Sequence, residues 1–152
     1  SDDIINKKPT PNAWSIAEVL AAHLMTGEEA TLGYLQKKTL DTSTAHNAGL
    51  KGWWKYVVLK IAFDLPLRFK APTVTTPKQK FASLKDIDDK WTTIRRDTLA
   101  LINKLNDVDI KKELWRHPVA GKMNLFQMVD FFTIHFERHE QQVNRTLKSV
   151  AN

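Results

Sequence analysis

The 152-residue chain holds five histidines and no cysteine. Any metal site it builds must therefore use nitrogen and oxygen ligands, and any nucleophilic thiol must come from a bound small molecule. Two of the histidines, His135 and His139, lie four residues apart within NLFQMVDFFTIHFERHEQQVNRTL, residues 124–147. Leu125, Met128, Val129, Phe132, Phe136 and Val143 recur there at three- and four-residue steps, the inward stripe of an amphipathic helix. Asn124, followed three positions later by Gln127, supplies the start signal. Both imidazoles then fall one turn apart on the stripe, where they can grip a single ion from the buried side. The metallopeptidase pattern H-E-x-x-H is excluded, because Phe136 stands where its glutamate must be and Glu137 lies further round the helix.

A third imidazole comes from a helix that opens at Ser15. Ser15 and Glu18 form an S-x-x-E capping box, with Trp14 placed to pack back as a staple. Ile16, Val19, Leu20, His23, Gly27, Ala30, Tyr34 and Leu35 follow at helical spacing before Asp41-Thr42-Ser43-Thr44 ends the run. His23 thus joins the buried stripe of a second helix, whereas His46 and His117 fall in loops. Three neutral imidazoles, His23, His135 and His139, make a first ligand set for zinc or a similar divalent ion, with a position left open for water or substrate. The rival reading is three core histidines, each with its own hydrogen-bond partner.

The remaining elements must position these residues. Residues 1–14 are polar, contain Pro9 and Pro11, and read as an extended lead-in. Residues 49–65 are apolar, aromatic and β-branched, and their length favours a helix over a strand. Pro66, Pro72 and Pro77 then break up a long loop, 66–80, that carries Arg68, Lys70, Lys78 and Lys80. A third helix opens at Ser83 with Asp86 in the box position and runs to about Leu105, turning Leu84, Ile87, Trp91, Ile94, Thr98, Leu101 and Leu105 inward. A short turn at residues 113–115 follows, and His117–Gly121 makes a tight approach to the last helix, fixed by Pro118 and Gly121. No repeat, low-complexity tract or composition break divides residues 1–152, so the expectation is one all-α domain.

Lys and Arg number 23 against 17 Asp and Glu, a net charge of +6. The excess favours anionic partners, but it is scattered over several elements and no reading helix stands out, so nucleic-acid binding is the least supported class. No apolar run approaches the ~20 residues that span a bilayer, and Ser1-Asp2-Asp3 has the wrong charge to open a secretory signal. The expected location is the cytoplasm, with no membrane partner.

Three motifs together resemble the DinB/YfiT-like superfamily of metal-binding helical bundles. They are WSIAEVLAAHL at 14–24, HPVAGKMNLFQM at 117–128, and His135-x-x-Arg138-His139-x-x-Gln142, with RFKAP at 68–72 also similar. The resemblance covers nearly the whole chain. It implies an antiparallel four-helix bundle of DinB/YfiT-like type and a divalent metal, zinc or nickel, held by His23, His135 and His139. It also implies thiol-dependent transferase or isomerase chemistry that uses a low-molecular-weight thiol. One departure stands out: a helix usually precedes the W-S-x-x-E segment, and here only 14 mostly polar residues precede Ser15. Either the chain is a shortened version, or residues 49–65 or a partner subunit fill that wall of the bundle. An exposed face along the first or last long helix would then serve a homodimer.

The first function to weigh is a metal-dependent thiol S-transferase or hydrolase acting on a small molecule that enters at the 66–80 loop, where Arg68 and Lys70 either receive an anionic group or simply solvate the loop. Arg138 and Gln142 flank the second histidine as supporting or helix-surface groups. No catalytic general base is assignable. The alternative is a metal-stabilised bundle that binds or interacts without turnover, with Trp53, Trp54, Tyr56 and Phe63 lining its pocket or forming plain core.

Overall fold

The protein is seen in a computed structural model that describes residues 2–65 and 83–151. The 66–80 loop, with Arg68, Lys70, Lys78, Lys80 and the RFKAP motif, lies outside the described residues.

Helices dominate. They are α1 (Asp2–Asn6), α2 (Ile16–Glu18), a π-helical segment (Val19–Met25), α3 (Thr26–Lys38), α4 (Leu50–Asp64), α5 (Leu84–Ile102) and α6 (Leu125–Ala151). Three of them start on reciprocal caps that the sequence announces. At α2 the Ser15 hydroxyl accepts from the Glu18 N–H at 3.2 Å, while the Glu18 carboxylate accepts from the Ser15 N–H at 2.9 Å. At α5 Ser83 and Asp86 exchange the same pair, both at 3.1 Å. At α6 Asn124 accepts from the Gln127 N–H at 2.9 Å and Gln127 from the Asn124 N–H at 3.1 Å. Each box satisfies N-terminal donors that no helix can bond internally. Among the described residues, no helix is long and apolar enough to cross a membrane.

The expectation of purely helical structure needs correction. Trp115–His117 (β1) and Gly121–Met123 (β2) pair antiparallel, with Trp115 opposite Met123 and His117 opposite Gly121. Gly121 takes φ 85°, a left-handed conformation that a Cβ penalises, and so closes the hairpin. The segment expected as a turn at 113–115 instead leads into β1, whose Trp115 and His117 are buried while Arg116 faces out. Residues 1–14 are not wholly extended either. Asp2–Asn6 form α1, and Ile5 is buried in a cluster with Ile16, Ala17 and Ile87.

By contact the chain forms two compact units. One draws on the described parts of Ser1–Ala30, Phe69–Arg96 and Phe136–Asn152, and the other on those of Thr31–Arg68 and Asp97–His135. The first is cored by the Ile5 cluster, against which Leu20, Trp91 and Val143 pack. It also carries a two-pronged ion pair: Arg95 donates to both carboxylate oxygens of buried Glu28, at 2.8 and 2.9 Å, and lies over the Trp91 ring. That fork fits the planar guanidinium to the carboxylate and leaves neither charge bare. The second unit is cored by Leu35, Tyr56, Leu59, Leu114, Trp115, Ala120, Met123, Leu125, Met128 and Phe131. Buried Tyr56 donates to Asp130, which also takes a salt bridge from Lys60.

Some inward assignments rotate. On α6, Val129 and Phe136 face solvent, and Phe131 takes the buried place against Trp115, His117 and Phe63. Leu84 on α5 and Ala30 on α3 are likewise exposed. The final turn of α5 ends at Ile102 rather than Leu105, although Leu105 still packs on the core.

Candidate metal centre

His23, His135 and His139 come together. Each offers a ring nitrogen, and these nitrogens all lie within 4.8 Å of one another. His135 and His139 reach this arrangement by being one turn apart on the unbroken helix α6. His23 reaches it from the π-helical segment, where the bonding reaches back five residues: the Thr26 N–H and hydroxyl both donate to the Ala21 carbonyl. Such wide turns are rare and collect at functional sites, because they swing side chains off the α-helical register.

The surroundings hold the rings in place. His23 meets His139 edge to face at 4.4 Å between centroids, and the edge of Trp14 abuts His23 at 5.5 Å. His135 stacks on Phe131 at 5.1 Å and meets Phe63 at 5.8 Å. The Gln142 amide oxygen lies 2.8 Å from His139 Nδ1.

Burial favours the neutral form of His23 and His139. It pushes His23 down to about 4, helped by the nearby His139. His139 is also lowered, first by burial and further by the charge of Arg138, against an opposing contribution from Gln142. Neutral imidazole is the form that ligates, and an all-nitrogen set suits zinc and nickel. Nitrogens tetrahedral about zinc at ~2.0–2.1 Å stand roughly 3.3 Å apart, and a cluster whose nitrogens lie within 4.8 Å of one another could hold such an ion.

The remaining sequence candidates divide. Gln142 touches His139 as a supporting group, and Arg138 acts on it through charge. Of the four aromatic residues considered as pocket lining, only Phe63 adjoins a cluster histidine. Trp53 and Trp54 are exposed and pack edge to face on each other, and Tyr56 belongs to the core. His46 stays in an exposed loop. His117, expected in a loop, is buried at the end of β1, its Nδ1 accepting from the N–H groups of Val119 and Ala120 at 3.2 and 3.0 Å. Burial pushes it down to about 4. The signal that could have found it is the His-Pro start of a glycine-closed turn, whose inward N–H groups need an acceptor.

A mostly helical chain that brings three histidines together is the frame in which the comparisons with known proteins are read. The family model of the DinB superfamily matches residues 1–143, and the chain belongs to that superfamily. The chain is also similar to the uncharacterized protein YuaE of Bacillus subtilis (strain 168). Identity is 27% over 150 residues, covering 99% of this chain and 87% of that protein. No solved structure matches the chain.

Proposed function

We propose that His23, His135 and His139 bind a divalent metal ion, zinc or nickel, and that the protein is a metal-dependent thiol S-transferase or hydrolase acting on a small molecule. The observation that carries this reading is the convergence of three imidazole nitrogens within 4.8 Å, burial holding His23 and His139 below the ordinary histidine range. A bound ion would supply Lewis acidity and lower the pKa of a thiol or water held in its open position. The chain's own residues do the rest. Trp14, Phe63 and Phe131 pack against the imidazoles, Gln142 holds the His139 ring in place, and the charge of Arg138 adds to burial in favouring its neutral form.

Since the chain has no cysteine, an attacking sulfur would come from a low-molecular-weight thiol cofactor, and the proposed setting for such chemistry is the cytoplasm. The four longest helices, α3, α4, α5 and α6, support an antiparallel four-helix bundle acting as one domain. A homodimer is supported by apolar side chains exposed along α4: Leu50, Trp53, Trp54, Val58 and Ile61.

Metal analysis of the purified protein, repeated after reconstitution with zinc or nickel, tests the site. The expected result is one ion per chain in the wild type and its loss in His135→Ala and His139→Ala. A wild type that takes up no metal refutes the reading. One observation favours a second function, a metal-stabilised binding module without turnover: among the described residues, no carboxylate joins the three imidazoles to serve as a base. A loaded protein that turns over no electrophile with any of several small thiols would select that alternative.

A further inference from the structure

We propose that Gln142 locks His139 into the tautomer that carries its proton on Nδ1, so that Nε2 is the nitrogen presented to the histidine cluster. The consequence for metal affinity rests on the metal-binding reading above, whereas the tautomer itself follows from local geometry. Gln142 lies three residues beyond His139 on the same helix, so its side chain reaches the ring across a single turn. Its amide oxygen, 2.8 Å from Nδ1, can only accept, and the ring nitrogen must therefore donate.

A neutral imidazole without such a partner shares its proton between two nitrogens and offers each lone pair only part of the time. Here the choice is made by residues i and i+3 of one continuous helix, so the ligand is set before any ion arrives. His23 meets the same ring edge to face at 4.4 Å, and a ring nitrogen of each lies within 4.8 Å of the other. Partners of this kind raise ligand basicity and fix ring orientation, and their loss typically weakens metal binding roughly 10- to 100-fold.

The test uses the full chain. Long-range nitrogen–proton NMR on the metal-free protein should show His139 protonated at Nδ1 and bare at Nε2. In Gln142→Met, which keeps the side chain's length but has no amide oxygen, the proton should redistribute while far-UV circular dichroism stays unchanged. Gln142→Glu should restore the wild-type signature. Zinc affinity should fall about 10- to 100-fold in Gln142→Met and recover or exceed wild type in Gln142→Glu. Wild-type His139 protonated on Nε2 overturns the proposal, as does a Gln142→Met variant that keeps both the tautomer and the zinc affinity of the wild type. A wild type with Nδ1 protonated that takes up no zinc or nickel leaves the tautomer standing and removes the metal reading instead.

Discussion

His23 and His117 share one perturbation in two settings. Both are held down to about 4, His117 by burial and His23 by burial together with His139. In the unfolded chain each takes its proton near 6.5. Between pH ~6.5 and ~4 the unfolded state thus binds more protons than the folded one, so the metal-free protein loses stability as pH falls through that window. Above it these two groups add no slope. The share of His117 is at most about 3 kcal/mol. His117→Asn keeps an acceptor near the Val119 and Ala120 N–H groups and removes the titration. Its unfolding free energy should therefore change less between pH 7 and pH 5 than that of the wild type. Urea titrations at the two values check this, and an unchanged difference would refute it. At this scale His135 and His139 were legible because their four-residue spacing puts them on one face of α6 wherever its stripe lies. His23 was legible because a capping box fixes the start of its helix, although the wide turn that carries it was not foreseen. His117 was not, because its role depends on N–H groups that only the folded turn turns inward.

Among the elements, helices were far easier to read than the hairpin. The long helices, 13 to 27 residues, repeat a period several times, whereas β1 and β2 hold three residues each, too few for alternation to register. The α6 stripe shows the limit of periodicity even in a 27-residue helix. Met128, Val129, Phe131, Phe132 and Phe136 permit two neighbouring stripes, and packing of Phe131 on Trp115 and His117 selects one of them. The hairpin's closure is testable by itself. A Cβ at Gly121 would have room, meeting only the Lys55 ammonium at 3.8 Å, so the strain of Gly121→Ala is confined to its backbone. The substitution should cost about 1–2 kcal/mol in denaturant unfolding. A change below the error of that measurement would mean that the turn relaxes without strain.

For the whole molecule, the informative feature is what α4 shows to solvent. Its length announced a helix, but a segment apolar on every side does not say which face is buried. Tyr56 and Leu59 turn to the core, leaving Trp53 half exposed and Trp54 and Val58 about 60% exposed. Under the homodimer proposed above, Trp54→Lys should shift sedimentation from dimer to monomer while the thermal midpoint of the folded chain changes little, since the side chain is not in the core. A wild type that sediments as a monomer at micromolar concentration removes the dimer. The basic residues are scattered along the sequence, and ion pairs among the described residues are likewise dispersed, among them Lys8 with Glu18, Lys60 with Asp130, Lys90 with Glu29, Arg95 with Glu28 and Lys112 with Asp109.

The wide turn that carries His23 has a consequence for comparing relatives. Seven residues from Val19 to Met25 span turns that an α-helix would cover with fewer, so the chain holds slack next to one of its three clustered histidines. A relative that lacked one residue in this stretch would return to ordinary α geometry and bring a different side chain toward the cluster, although most of its neighbours would still align. Relatives are therefore matched here by counting helical turns back from the histidine, and an insertion or deletion of one residue between positions 19 and 25 tells more about their chemistry than many substitutions elsewhere.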